Sequence, residues 1–393
     1  MNVKGFQFSA VEAAIKKPGR LDLALIFSQS PANVAAVFTT NKVKAAPVLI
    51  SMERAKNGVC RALIVNSGNA NACTGEEGMA DALEYGRLAS GTLGIAEDDL
   101  LICSTGVIGQ RLPVQRLRDG IEPLVANLPS GTLEDVSSAI MTTDTFAKME
   151  VREGSAGGAS YRIAGIAKGA GMIQPNMATM LSFLVTDAAV DAAFLKEAFK
   201  EAVDGSFNAI TVDGDTSTND TALIMANGAA GNPTIVPGTP EAKEFTALLH
   251  DVLLSLAKLI VKDGEGATKF VEIRVRGAVT NAEAKQGALA IANSLLVKTA
   301  FFGQDANWGR IFCALGYSGI EMDQSKVDLF FDDVQMVSRG VFAGGDAEAR
   351  GSDVLKKKEI AVIIDLRAGE GEAVVYTSDL SYDYVRINAD YRT

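Results

Sequence analysis

A run of apolar residues at positions 180–185 follows a loop that contains the turn signal Pro175-Asn176. The apolar run predicts a buried strand, and the loop predicts a change of chain direction at its entrance. Thr179 lies at this junction, where a hydroxyl group is poorly placed for solvation. The pattern alone favours a threonine that simply leads a strand after a turn. The alternative is a chain that cleaves itself between Ala178 and Thr179 and so makes Thr179 an N-terminal nucleophile.

The composition of the chain is typical of a globular protein. Its 393 residues, 48% hydrophobic and 22% charged, predict two or three domains with a large core. The formal net charge of -11 disfavours nucleic acids and anionic membranes as partners. No apolar run is long enough for a transmembrane helix. The first residues have neither the apolar core of a signal peptide nor an Arg-rich presequence, so we expect a cytoplasmic protein.

Histidine and cysteine are scarce in this chain. The single histidine, His250, lies in an apolar helical pattern and is predicted to be a packed structural side chain. A hydroxyl nucleophile would therefore need another base, which excludes the Ser-His-Asp and Cys-His arrangements. No C-x-x-C pair and no metal-ligand spacing occur, so we expect buried thiols and neither disulfides, a metal nor a cofactor. The cysteines are Cys60, Cys73, Cys103 and Cys313.

Hydrophobic periodicity predicts a chain that mixes strands and helices. Strands are predicted at 23–27, 34–40, 46–52, 61–66, 100–103, 161–167, 222–225, 269–277, 327–331, 360–366 and 373–378. Helices are predicted at 76–90, 113–128, 133–141, 192–204, 241–262 and 282–302. The chain is strand-rich after about residue 311, and its end alternates aromatic and apolar residues, which predicts an ordered, docked terminus.

Polar loops follow several of the predicted strands. Ser104-Thr105-Gly106 is either a plain turn or a hydroxyl and a bare backbone N–H offered to a developing oxyanion. The segment that begins at Asp213 resembles the start of a calcium loop. It fails that test, because Thr218 replaces the required glycine and Ile224 the required glutamate.

Eight blocks, taken in order, resemble those of the ornithine acetyltransferases of arginine biosynthesis, also called glutamate N-acetyltransferases. The blocks are residues 66–72, 104–109, 141–145, 168–181, 211–220, 263–269, 302–310 and 388–393. The similarity covers nearly the whole chain. It departs from the family at Ala147, Leu295 and Ala306, where the family more often has proline, which concerns local loop rigidity and leaves the chemistry unchanged.

The resemblance implies a mixed α/β sandwich with two sheets between helical layers and a smaller C-terminal α+β domain. We expect residues 1–278 to form the catalytic sandwich and residues 279–393 the smaller domain. Cleavage between Ala178 and Thr179 would give an α chain, 1–178, and a β chain, 179–393, assembled as two of each. Thr179 then resembles the nucleophile and Thr105 and Gly106 the oxyanion pair. The family's substrate-binding positions fall on Thr142, Lys168, Thr179, Glu265, Asn388 and Thr393.

The implied reaction moves an acetyl group from N-acetylornithine to glutamate through an acyl-enzyme on Thr179, so that one site serves both amino acids in turn. Cleavage would free an α-amino group whose reference pKa of about 7.7–8.0 suits a general base. Lys168 suits a substrate carboxylate, although a solvated loop lysine is the ordinary explanation. Glu265 suits an amine, although alone it is better explained as an acid at a helix end.

Two other functions remain open on the residues. One is an N-terminal-nucleophile aminopeptidase or amidase, in which water replaces glutamate as the acceptor. The other is an uncleaved binding protein. The sequence does not decide whether acetyl-CoA also serves as an acetyl donor, because no dedicated CoA motif is present.

Overall fold

The structure, a computed structural model, describes residues 2–174 and 180–390. The strands are β1 (Phe6–Val11), β2 (Leu23–Phe38), β3 (Val59–Asn69), β4 (Leu100–Val107), β5 (Lys148–Ala156), β6 (Ala159–Lys168), β7 (Leu181–Thr186), β8 (Ile210–Thr211), β9 (Thr221–Ala226), β10 (Phe270–Ala278), β11 (Asp328–Phe331), β12 (Val334–Ser338), β13 (Val341–Phe342), β14 (Glu359–Asp365) and β15 (Gly371–Ser378). The helices are α1 (Ala46–Arg54), α2 (Gly75–Leu93), α3 (Val114–Ala126), α4 (Leu133–Ala139), α5 (Ala192–Asp204), α6 (Pro240–Lys262), α7 (Asn281–Ala292), α8 (Leu295–Phe302), α9 (Trp308–Gly316), α10 (Ala347–Val354) and α11 (Tyr382–Asp390). The predicted mixed α/β class is confirmed.

The described chain divides into two compact units. The first contains residues up to 208 together with 215–260, and the second contains 209–214 and the residues from 261 onward. The sequence suggested a boundary after residue 278 instead. The difference is β10, which belongs to the second unit because it pairs in parallel with β14 and antiparallel with β15. A search of the described helices for one long and apolar enough to cross a bilayer finds none.

The first unit is built on a mixed sheet with the order β4-β3-β2-β9-β7-β6-β5, and β1 pairs with β2. The long strand β2 joins its two halves. Its first part pairs with β3 and its second part with β9, with a register shift between Phe27 and Ala32. The parallel pair β7 and β9 lies inside this sheet, and every residue of β7 is buried, as the apolar run predicted.

Side-chain alternation along the strands supplies the two faces of this sheet. Leu63 and Val65 of β3 belong to one core cluster, which α4 covers through Leu133 and Val136. Ile64, between them, belongs to a second cluster with residues of α2 and α3. Elsewhere on the sheet, Gly165 of β6 makes room for α6. A Cβ atom there would lie 3.0 Å from Leu256 and 3.1 Å from Val252.

The second unit contains a sheet with the order β13-β12-β11-β14-β10-β15-β8. Its core joins alternate residues of β10, such as Val271 and Ile273, to Ala284 and Ala288 of α7. Lys298 of α8 is buried in this unit and donates hydrogen bonds to Thr377 Oγ1 at 3.0 Å and to the Ser378 carbonyl.

Three sequence predictions were wrong in detail. Residues 46–52 form the helix α1 and not a strand, because Pro47 starts a first helical turn and the buried residues Ala46, Ile50 and Arg54 recur every four positions. The helix predicted over 282–302 is two helices, since the side chain of Ser294 caps the start of α8. Cys60 and Cys103 are buried as predicted, but Cys73 and Cys313 are exposed.

Candidate active site

Lys168 is the last residue of β6 and lies next to β7, where it pairs in register with Leu181. The side chain is buried, with 8% of its surface exposed. Its ammonium group donates to the hydroxyl of Thr142 at 2.9 Å and to the hydroxyl of Thr105 at 3.4 Å. The structure therefore brings together three of the sequence-predicted site residues, from β4, β6 and the loop after α4.

Asp144 supports this group through hydrogen bonds to its buried carboxylate. Its carboxylate accepts the backbone N–H of Gly169 at 2.7 Å, the backbone N–H of Thr142 at 2.9 Å and the ammonium of Lys148 at 2.8 Å. Burial alone would raise the pKa of Asp144. Lys168, Lys148 and the hydrogen bonds outweigh it and lower that pKa to about 2. Asp144 is therefore an ionised anchor that fixes the loop carrying Thr142 to the end of β6.

Thr105 and Gly106 lie where β4 pairs with the end of β3. Gly106 has a φ of 135°, and a Cβ atom there would lie 2.3 Å from the carbonyl carbon of Gly68. Only glycine fits such a close backbone approach, so the local chain path requires this residue. The hydroxyl of Thr105 accepts a hydrogen bond from Lys168, which leaves its own proton free to be donated to a reacting oxygen.

The chain just before Thr105 is held by the buried Asn219. Its side-chain amide donates to the carbonyl of Ala70 at 2.6 Å and to the carbonyl of Ser104 at 2.9 Å. Ser104 also donates its hydroxyl to Asn66 Oδ1 at 2.5 Å. Because the Ser104 carbonyl and the Thr105 N–H share one peptide unit, these bonds fix the orientation of Thr105.

Asp220 follows Asn219 and is 2% exposed. One part of its carboxyl group accepts hydrogen bonds from Ser217, while Oδ2 has no hydrogen-bond partner among the residues that the structure describes. Burial raises the pKa of Asp220 well above its ordinary value, and Ser217 and Lys168 only partly oppose this. Burial thus favours the protonated form of Asp220, in contrast to Asp144, whose ionised form is favoured.

The second unit holds two further predicted residues, and they contact each other. Asn388 of α11 donates its side-chain amide to Glu265 Oε2 at 2.8 Å. Glu265 is 8% exposed and lies in the turn after α6. The same unit places the hydroxyl of Tyr384 3.4 Å from Asp213 Oδ2. The terminal residues up to Asp390 form the helix α11, but no residue of this helix is buried, so the predicted docking of the terminus is not seen in the described residues.

Three predicted residues lie outside the described part of the chain: Ala178, Thr179 and Thr393. The roles given to them, including the cleavage site and the nucleophile, stay predictions. Conversely, no role was predicted from the sequence for Asp144, Asn219 or Asp220. All three lie in polar blocks noted for their composition, but only the folded contacts distinguish them from their neighbours.

Comparison with known proteins gives a consistent result. A sequence model described as the ArgJ family matches residues 7–393. A curated protein of Geobacter sulfurreducens named "Arginine biosynthesis bifunctional protein ArgJ" is 69% identical over all of both chains. A protein of the same name from Syntrophotalea carbinolica is 55% identical, again over all of both chains. A crystal structure of the Bacillus halodurans protein of that name is 44% identical with a TM-score of 0.53, and the match covers 54% of this chain and 100% of that one.

Proposed function

The chain belongs to the ArgJ family, and on that premise we propose that it transfers the acetyl group of N-acetylornithine to glutamate in arginine biosynthesis. The observation that carries this proposal is the hydrogen-bonded group formed by Lys168, Thr105 and Thr142, with Asp144 behind it. It places a cation and two hydroxyl groups at the end of the strand that precedes the predicted nucleophile.

The proposed reaction has two halves on one hydroxyl group. The Oγ of Thr179 attacks the acetyl carbon of N-acetylornithine, the C–N bond breaks, and ornithine leaves. Glutamate then attacks the acyl-enzyme and carries the acetyl group away. A covalent intermediate of this kind divides one difficult exchange into two easier steps and needs only one amino-acid site.

The base in this proposal is the α-amino group that appears when the chain cuts itself between Ala178 and Thr179. Before cleavage that nitrogen is an amide and has no basicity, so activation and maturation are one event. The described residues around Lys168 include no histidine that would serve instead, since His250 is a half-buried residue of α6 that lies near Phe194, Glu201 and Lys243. The Bacillus halodurans chain, which covers 54% of this chain, is about as long as the predicted product 179–393 and supports cleavage.

The oxyanion of each tetrahedral intermediate is proposed to lie between the hydroxyl of Thr105 and the N–H of Gly106. The loss of one donor of this kind typically slows a reaction about 10²–10³-fold. Lys168 already uses its ammonium on Thr142 and Thr105, so a substrate carboxylate is proposed to bind there by joining an existing hydrogen-bond group. No step of this scheme calls for a metal or a cofactor.

Glu265 and Asn388 are proposed to be substrate-binding groups, on the basis of the family resemblance. Glu265 accepts a hydrogen bond from Asn388 and keeps a carboxylate suited to the ammonium of ornithine. Thr393 is proposed to join them, on the basis of the family resemblance alone. The proposed mature form is two α and two β chains in the cytoplasm, and the free thiols of the chain agree with a reducing compartment.

The test supplies N-acetylornithine to the purified protein with and without glutamate. Formation of acetylglutamate only when glutamate is present supports transfer. Release of acetate at the same rate without glutamate would contradict it and indicate an amidase. A third reaction with acetyl-CoA and glutamate tests whether the second activity implied by the relatives' word "bifunctional" is acetylation from acetyl-CoA.

Thr179→Ala tests the nucleophile and the cleavage together. A denaturing gel of the wild type should show two chains, and the variant should show one band of full length with no transfer activity. A wild type that is active as a single full-length chain would refute self-processing. A variant that still consumes N-acetylornithine would refute the role of Thr179.

A further inference from the structure

Asp220 lies at the ends of three adjacent strands. Thr221, the next residue, begins β9, pairs in register with Leu181 of β7 and donates its N–H to the Met180 carbonyl at 3.0 Å. Leu181 in turn pairs with Lys168 at the end of β6. The Asp220 carbonyl accepts the N–H of Thr39 at 3.0 Å, so the backbone at this position is fixed.

The Asp220 side chain is held differently from the buried carboxylates of Asp144 and Asp187 in the same unit. Asp144 and Asp187 each accept at least two backbone N–H groups. Asp220 is 2% exposed, and its Oδ2 has no partner in the described part of the chain. A buried polar oxygen without a partner destabilises the folded state. An asparagine side chain would have nearly the same shape as Asp220 but no ionisable group. The acid at this position therefore indicates that its proton takes part in the reaction.

The proposed transfer requires a proton donor and a proton acceptor, because ornithine leaves as an ammonium cation and glutamate enters as one. In the first half, the proton of the attacking hydroxyl passes through the α-amino group to the nitrogen of the breaking C–N bond. Ornithine then leaves as a neutral amine, and one more proton must reach it. In the second half, glutamate arrives as an ammonium and must lose one proton before its nitrogen can attack.

We propose that Asp220 stores this proton between the two half-reactions. The proton passes to and from the substrate nitrogen through Ser217 and Lys168. Asp220 therefore acts through these two residues and does not itself touch the substrate. Asp220 gives its proton toward the leaving ornithine amine and becomes a carboxylate in the acyl-enzyme. The incoming glutamate ammonium returns one proton to that carboxylate. The glutamate nitrogen then bonds to the acetyl carbon, the bond to Oγ breaks, and the second amine proton restores the hydroxyl group. The enzyme ends each cycle with Asp220 protonated.

Two further observations agree with this assignment. Ser217, which hydrogen-bonds to Asp220, is only half-buried and so connects the buried carboxyl group to the exterior. The pKa of Asp220 is raised well above its ordinary value by burial, with Lys168 as a nearby charge that opposes the shift, whereas the pKa of Asp144 is lowered to about 2. Two acids with pKa values pushed apart around one cation are typical of a site that uses one of them for proton transfer.

The test compares Asp220→Asn with the wild type, and it rests on the proposed function. The rate of acetylglutamate formation is expressed per cleaved chain, as counted on a denaturing gel. We expect kcat to fall about 10²-fold, the usual contribution of a proton-transfer group, with KM changed less than about threefold. The melting temperature at pH 8 should rise, because the variant lacks a buried acid whose raised pKa disfavours the folded state at that pH.

Asp187→Asn is the matched control. Asp187 is 3% exposed and accepts the N–H groups of Arg162 at 2.7 Å and Lys4 at 3.2 Å. Its variant should lose stability and keep kcat. Ser217→Ala, at a half-buried position, should lower kcat about tenfold if the proton passes through that hydroxyl group.

Three results would overturn the proposal. An Asp220→Asn protein with wild-type kcat would show that the proton is not used. A variant that is less stable at pH 8, or that does not fold, would show a structural acid. A variant that stays uncleaved would place Asp220 in maturation only. A wild type that makes no acetylglutamate would instead refute the proposed function itself, which keeps the two failures distinct.

Discussion

Asn219→Ala removes a side-chain amide that holds both the loop after β3 and the strand that carries Thr105. In the folded protein this amide donates to the carbonyls of Ala70 and Ser104 at 2.6 and 2.9 Å. Each buried carbonyl left without a partner costs about 1–3 kcal/mol, so the variant should lose about 2–6 kcal/mol of folding stability. The peptide unit between Ser104 and Thr105 would also be free to tilt. A misplacement of about 1 Å at a reacting group can slow a reaction about 10²-fold.

Asn232→Ala provides a control of the same chemistry. Asn219 and Asn232 are each 6% exposed, and the amide of Asn232 also donates to two backbone carbonyls, those of Ala189 at 3.1 Å and Pro233 at 2.8 Å. None of these partners belongs to the group around Lys168. The two variants should therefore lose similar amounts of stability, but only Asn219→Ala should lose activity beyond its unfolded fraction.

The assay pairs urea unfolding, followed by circular dichroism, with the steady-state rate of acetylglutamate formation at a temperature where both variants are folded. We expect kcat of Asn219→Ala to fall about 10²-fold and KM to change little, because the oxyanion donors act mainly in the transition state. Equal kcat values for the two variants, per folded molecule, would refute the inference that Asn219 positions Thr105.

Two predictions concern pH. Asp144 has its pKa lowered from 3.8 to about 2, so it contributes about 2 kcal/mol of stability that is present above pH 4 and is lost as the pH falls to 2. The stability difference between the wild type and Asp144→Asn in urea unfolding should shrink over that interval, and a difference independent of pH would contradict the assignment. Burial lowers the pKa of Lys298 from 10.5 to about 8, so the unfolded chain binds more protons between these values and the wild type should gain about 3 kcal/mol as the pH rises through them. Lys298→Met should lack this gain, and an identical pH slope in the two proteins would show that Lys298 does not titrate as inferred.

Local pattern was enough to predict several helices and strands of the fold. The apolar run after residue 179 is the buried strand β7, and the amphipathic pattern at 192–204 is the helix α5. The pattern failed at 46–54, where alternation and helical periodicity could not be separated over so few residues. Pro47 in the first turn was the available signal, since proline is favoured there and is excluded from a central strand.

The site residues that could not be predicted from the sequence are those held by contacts between distant parts of the chain. Asn219 is 149 residues from Ala70 and 115 from Ser104, and only the pairing of β2 with both β3 and β9 brings them together. The block at 104–106 shows the same limit at short range. Ser104 and Thr105 both carry hydroxyl groups, yet Ser104 binds Asn66 and Thr105 meets Lys168, as alternation along β4 requires.

The two acids near Lys168 show why composition alone could not assign their roles. Asp144 and Asp220 both follow hydroxyl-rich residues and are both buried. Two backbone N–H groups and Lys148 surround Asp144 and keep it ionised, whereas Asp220 has hydrogen bonds from Ser217 and an unpartnered oxygen. An ionised acid with three donors is a structural anchor, because protonation would break bonds that hold two loops. A neutral acid with an open oxygen can gain or lose a proton while its backbone contacts remain, and this difference makes Asp220 the one of the two that can serve a proton-transfer step.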